Sequence, residues 1–188
     1  ALSRDGARVP YFVVRPKGEL TGKAPTLMFG YGGFQVSYPP AYKPELGKIW
    51  LERGGAYVIA NIRGGGEFGP PWHQAALKGN RQRAFDDFAA VAADLAVRRI
   101  TSAKNLGIYG RSNGGVLTSV TMTQRPDLIG GAVIESPLVD MMREMTRKGL
   151  GATAVVTPEG TVAGIFTDGD LRRLIERGAD LRELRARD

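Results

Sequence analysis

The sequence contains no cysteine, which excludes disulfides, thiolate nucleophiles and cysteine-ligated zinc. No run reaches the ~18 apolar residues needed to cross a bilayer, and the start Ala-Leu-Ser-Arg-Asp has no signal-peptide core. A soluble cytoplasmic protein without a membrane partner is the expectation. Lys and Arg outnumber Asp and Glu, 26 to 19, but they are scattered. The one dense basic run, 172–187, is interleaved with Glu176, Asp180 and Glu183. A nucleic-acid footprint needs a clustered basic face with a matching motif, so no nucleic-acid partner is expected, and neither is a metal or a cofactor. Histidine is nearly absent too: His73 is the single one.

Glycine is plentiful, 26 of 188 residues, and it gathers in turns at 30–33, 64–66 and 110–115, where tight backbone angles or close approach are expected. With 43% hydrophobic and 24% charged residues, the chain has the composition of a globular protein long enough to bury a core. Short apolar runs at 9–16, 25–29, 56–62 and 106–109 read as strands, the later ones buried on both faces, and 131–136 reads as the next strand. Segments of helical period lie between them. In 42–53, Leu46, Ile49 and Trp50 share a face; in 83–99, Phe85, Phe88, Ala92 and Leu95 do; 113–124 forms a third. Strands alternating with helices predict an α/β fold, a mostly parallel sheet with helices on both faces.

Residues 106–115, Leu-Gly-Ile-Tyr-Gly-Arg-Ser-Asn-Gly-Gly, read as an apolar strand, a Gly-x-Ser-x-Gly turn and a helix start. That is the sequence form of a nucleophile elbow, with Ser112 as candidate nucleophile. A serine hydroxyl needs a base, usually a histidine that a carboxylate holds in one tautomer. No histidine lies between Asn113 and Asp188. Within this sequence the candidate base is therefore His73, whose other reading is a residue that caps or packs a helix start. Asp140, at the end of the strand after the elbow, is the candidate acid or an ordinary loop carboxylate. Arg63 and Glu67 flank the 64–66 glycines and are expected to form an internal salt bridge that shapes the loop.

Several motifs stand in one order: Phe29-Gly-Tyr31-Gly-Gly-Phe34, Ala60-Asn-Ile-Arg63-Gly-Gly-Gly-Glu67-Phe-Gly, Trp72-His73, Phe85-Asp-Asp-Phe88, Gly110-Arg-Ser112-Asn-Gly-Gly115 and Gln124-Arg-Pro-Asp127. Through them residues 1–141 resemble the first part of the catalytic domain of the prolyl oligopeptidase family. The resemblance implies a truncated α/β-hydrolase sheet and Ser112 as nucleophile. It also implies an oxyanion hole made by the Tyr31 hydroxyl and the Asn113 backbone N–H, with Phe34 in the substrate pocket. The family's catalytic Asp and His follow later strands, beyond the matching residues, and the family's propeller domain is likewise outside them.

From about Met141 the texture changes. Residues 152–157 and 161–167 flank Pro158-Glu-Gly160 and predict a β-hairpin between two helical segments. Through Met145-Thr-Arg-Lys-Gly-Leu-Gly151 and Gly164-Ile-Phe-Thr-Asp-Gly-Asp-Leu-Arg-Arg173, residues 142–188 resemble half of a CBS (cystathionine-β-synthase) domain pair. This second resemblance implies a chimera of two truncated genes, with Thr167 and Asp170 as possible nucleotide contacts. A sheet without its last strands exposes an edge, so a homo-oligomer, most simply a dimer, is expected. The expected function is a serine hydrolase, a promiscuous carboxylesterase on short-chain esters, with a small ester or acyl substrate and an incomplete triad. The alternative is a non-catalytic fusion whose CBS-like segment mediates oligomerisation or weak nucleotide binding.

Overall fold

The apolar runs become strands in a computed structural model that describes residues 1–137, 152–156 and 162–167. The chain divides into two compact units, Ala1–Pro137 and Leu138–Asp188. In the first, five strands, β1 (Tyr11–Val14), β2 (Thr26–Gly30), β3 (Ala56–Ala60), β4 (Leu106–Arg111) and β5 (Gly131–Glu135), form a sheet in the order β1-β3-β2-β4-β5. β1 runs antiparallel to β3, and the other pairs are parallel. Four helices belong to this unit: α1 (Pro44–Ile49), α2 (Pro70–Gln74), α3 (Gln82–Val97) and α4 (Asn113–Gln124). None of the described helices is long and apolar enough to cross a membrane.

The period of two along the strands sorts the side chains onto two faces. Met28, Val58 and Ile108 are in register and fully buried. Their face is the one on which α3 and α4 pack: a Cβ on Gly30, two residues along from Met28, would strike the rings and methyls of Phe88 and Leu117 at 2.5 and 2.9 Å. Phe29, Tyr57 and Ile59 point the other way and pack with Leu27, Tyr109, Leu46 of α1 and Leu51. Helices therefore cover both faces, as the alternation predicts. In α3, Phe85, Phe88, Ala92 and Leu95 are buried, the face that the helical period gives.

One expectation changes. The helix predicted over 42–53 stops at Ile49, and Leu51–Arg53 forms a separate 3-10 turn. Trp50 leaves the helical path because its indole Nε1 donates to the Ala56 carbonyl at 2.8 Å and its ring covers Gly55. Ile49 is left 62% exposed, so it does not share the packed face of Leu46. β3 is buried on both faces, whereas β5, which borders the sheet among the described residues, exposes every second residue.

In the second unit β6 (Ala152–Val156) and β7 (Val162–Thr167) pair antiparallel, with Ala152 opposite Thr167, the pairing expected of a hairpin. Thr167 ends β7; Asp140 and Asp170 lie outside the described residues.

Candidate active site

The parallel strands dictate where a site can form. From β2 the chain passes through α1 to β3 on one side, and from β3 it returns through α3 to β4 on the other. The connections diverge between β2 and β4, and in open α/β sheets such a switch point is where a binding crevice is expected, at the carboxyl ends of the two strands. Tyr31 follows β2 and Ser112 follows β4, so the topology brings these two sequence-predicted residues to one place.

Ser112 is the N-cap of α4, with φ 56° and ψ −117°. A positive φ in a residue with a Cβ stores strain of about 1–3 kcal/mol and persists only where the surroundings impose it. The surroundings here are two close approaches. A Cβ on Gly110 would lie 2.0 Å from the Gly114 carbonyl oxygen, and one on Gly114 would lie 2.6 Å from the Gly30 carbonyl oxygen. Both glycines of Gly-x-Ser-x-Gly are thus required by backbone packed on backbone, which turns strand into helix within a few residues. The Ser112 N–H donates to the Glu135 carbonyl at the end of β5, 2.9 Å away, fixing the turn from the other side. Ser112 is half-buried, at the N-terminus of a 12-residue helix whose dipole favours negative charge.

Asn113 is buried, and its side chain joins the elbow to the loop after β2. Its Nδ2 donates to the Tyr31 carbonyl at 2.5 Å, and its Oδ1 accepts from Arg81 Nη2 at 2.8 Å. Arg81 Nη1 donates to the Gly32 carbonyl. The Tyr31 ring lies over the elbow, its Cδ2 3.6 Å from the Cβ position of Gly114, and packs against the Tyr38 ring at 5.4 Å. Burial, reinforced by Tyr31 and Glu67, raises the Tyr38 phenol above its ordinary pKa. Phe34 and Gln35 both have positive φ, 52° and 56°, and Phe34 is 59% exposed. The loop therefore presents an apolar ring to solvent.

His73 sits in α2, and its backbone neighbours hold the glycine loop. Gly64 N–H donates to the Trp72 carbonyl at 3.1 Å, and His73 Nδ1 lies 2.6 Å from the Gly64 carbonyl oxygen. So short a contact with a carbonyl assigns the ring proton to Nδ1. The Gln35 N–H, 3.2 Å from Nδ1 and 3.3 Å from the Gly64 oxygen, then donates to the oxygen, and Nε2 is the acceptor nitrogen. Arg63 does form a buried salt bridge, but not with Glu67. Its guanidinium grips Asp87 (2.6 and 2.8 Å) and Asp5 (2.6 and 2.9 Å), while Glu67 Oε1 accepts from Tyr38 N–H and Asn61 Nδ2. The reason is reach: Asp87 of α3 lies directly under the Arg63 backbone, whose N–H it also accepts at 3.0 Å.

Arg81 and Asp87 are the residues of this region that the sequence does not announce. Arg81 stands in the polar stretch Lys78-Gly-Asn-Arg-Gln-Arg83, and only the fold buries it. Among the described residues, no group of three or more His, Asp or Glu is placed to hold a metal ion.

This geometry has relatives. The model of the prolyl oligopeptidase family matches residues 45–162. An uncharacterized peptidase of Sinorhizobium fredii is 54% identical over 170 residues, 88% of this chain and 23% of its own length. The prolyl endopeptidase of Elizabethkingia miricola is 42% identical over 142 residues, 75% of this chain and 20% of that one. Among solved structures, a post-proline cleaving enzyme from Rickettsia typhi superposes with a TM-score of 0.73 at 51% identity, over 76% of this chain and 21% of that one. The chain thus spans about a fifth of the length of the relatives it matches.

Proposed function

Since the chain belongs to the prolyl oligopeptidase family, we propose that it carries the nucleophile and oxyanion-binding half of a serine hydrolase site. Ser112 Oγ attacks the acyl carbon, and its proton passes to a histidine base. The carbonyl π electrons move onto oxygen, and the oxyanion accepts from the Tyr31 hydroxyl and the Asn113 backbone N–H at the start of α4. Collapse of the tetrahedral intermediate expels the amine or alcohol, which takes up the proton, and water then releases the acyl group by the same steps in reverse. The observation that carries this reading is the elbow itself: Ser112 at φ 56° between β4 and α4, with Asn113 bonded to Tyr31 across the crevice.

The prolyl endopeptidases among the relatives make a peptide bond after proline the proposed natural substrate, with Phe34 as one wall of its pocket. For residues 1–188 alone the proposed substrate is a short activated ester, whose leaving group needs less acid assistance than an amine. His73 can serve as base only through Nε2, because Nδ1 is committed to Gly64. Asp140 is its proposed carboxylate. A fluorophosphonate should label the chain, and Ser112→Ala should abolish both labelling and ester hydrolysis. Undiminished hydrolysis in Ser112→Ala would refute the nucleophile. His73→Ala that keeps its labelling rate would assign the histidine to the 64–66 loop and the base to another residue.

A further inference from the structure

We propose that Arg81 is a positioning residue for the oxyanion site, holding its two donors at the correct separation. The inference rests on the reading of Ser112 as nucleophile and adds a residue to it. Arg81 precedes α3 in sequence, far from the elbow, yet its side chain is only 8% exposed. The guanidinium lies over the Phe85 ring, with Cζ 5.3 Å from the centroid. From there it reaches two different loops. Nη1 donates to the carbonyl of Gly32, the residue after Tyr31, and Nη2 donates to Oδ1 of Asn113, the residue after Ser112.

These are the two loops that would supply the oxyanion donors, and Arg81 is a rigid planar link between them. Its effect on Asn113 is directional. Arginine has donors and no acceptor, so it must face the oxygen of the Asn113 amide, and this leaves Nδ2 pointing at the Tyr31 carbonyl, 2.5 Å away. Gly33 makes room for the amide, since a Cβ there would fall 2.3 Å from Nδ2. The result is a closed ring of contacts: Arg81 to Gly32, along the chain to Tyr31, across to Asn113 Nδ2, and from Asn113 Oδ1 back to Arg81. Gly64 borders the same group, with its Cβ position 3.2 Å from Arg81 Nη1.

A charged group buried only to stabilise the fold could be satisfied by any acceptors. Here the two described acceptors, the Gly32 carbonyl and Asn113 Oδ1, belong to the residues next to Tyr31 and Ser112, and the planar fork sets their separation, which an ammonium on a flexible stem cannot do. Arg81→Met removes both donors and leaves the Gly32 and Asn113 oxygens without them. The Tyr31 hydroxyl and the Asn113 N–H should then drift from the position of the oxyanion. Displacements of about 1 Å at a reacting centre cost up to ~10²-fold in rate.

The test is active-site titration of the full 188-residue chain with a fluorophosphonate reporter. It reads two quantities, the second-order labelling rate constant and the final moles of label per mole of protein. For Arg81→Met the rate constant should fall about 10- to 100-fold, with the final stoichiometry and the circular dichroism spectrum unchanged. Arg81→Lys, which can reach one oxygen but not hold both, should fall in between. A purely structural role gives the opposite pattern, in which the stoichiometry falls with the folded fraction and the rate constant of the labelled fraction stays constant. That pattern overturns the proposal, as does an unchanged rate constant at full stoichiometry. If Arg81→Met does not fold, the same criteria apply to Arg81→Lys. Absence of labelling in the unaltered chain, or labelling that survives Ser112→Ala, refutes instead the nucleophile reading on which the proposal rests.

Discussion

Replacing Arg63 by methionine should be among the most damaging single changes in the first unit, and the structure says by how much. The Arg63 side chain is 6% exposed and its partner Asp87 is fully buried. Asp87 accepts from Nε, Nη2 and the backbone N–H of Arg63, so almost everything that neutralises this carboxylate comes from one residue. Methionine keeps the volume and the backbone N–H but removes the charge. A buried ion left without its partner costs about 3–5 kcal/mol. In a domain of this size each kcal/mol lowers Tm by about 2–4 °C, so a fall of roughly 6–20 °C is expected. Urea unfolding followed by far-ultraviolet circular dichroism should show the loss in the midpoint with an unchanged slope. A double variant isolates the cause. In Arg63→Met/Asp87→Leu both charges are gone, and most of the stability should return. A single-variant loss under ~1 kcal/mol would mean that the pair is solvated, and the reasoning would fail.

Acid should reveal the other half of the same cluster. The hydrogen bonds from Arg63 hold the Asp5 carboxyl down at about 2. With an unfolded value near ~3.9, its contribution is present above that pH and is lost as pH falls towards the folded value, so Asp5→Asn should flatten the acid limb of stability between those limits. Gly110→Ala should unfold the elbow or abolish labelling at Ser112, because the new methyl would overlap the Gly114 carbonyl; a folded variant that labels at the original rate would contradict the close approach. Phe88→Ala, at a ring with no exposure, should cost about 3–5 kcal/mol in the same urea assay, and a cost near zero would show that α3 does not pack there. The expected dimer is checked by light scattering at micromolar concentration, where a strictly monomeric mass would refute edge pairing at β5.

The parts of this fold that were legible in the sequence are those where one local signal decides the outcome. β-branched runs without polar interruption gave all five strands of the first sheet to within a few residues, and the apolar stripe of α3 gave its buried face. The Gly-x-Ser-x-Gly turn located the elbow because its two glycines answer a steric demand that is itself local. Trp50 was not legible, since the carbonyl that draws it out of the helix belongs to the next strand. Arg81 and the pairing of Arg63 with Asp87 were hidden for the same reason. A charged residue reads as surface until the fold puts an acceptor beside it, and residues 24 or 32 positions away leave no periodic trace. Glu67 shows the converse error: it is near Arg63 in sequence, yet its Oε1 accepts from Tyr38 and Asn61 instead.

These distant contacts share one consequence for the elbow. A serine at positive φ is unfavourable by itself, so the sheet and loops must impose it. Gly30 presses on Gly114 from β2, the Glu135 carbonyl holds the Ser112 N–H from β5, and Asn113 is tied through Tyr31 and Arg81 to the loop after β2. Two strands, the loop after β2 and Arg81 at the start of α3 thus converge on three consecutive residues, Ser112, Asn113 and Gly114. Loosening any one of these contacts should relax Ser112 toward ordinary helical or extended angles before the domain unfolds, because a strained backbone angle persists only while its surroundings over-determine it. Loss of labelling should therefore precede loss of circular dichroism as urea is raised. Coincident transitions would mean that the elbow is held by the global fold alone.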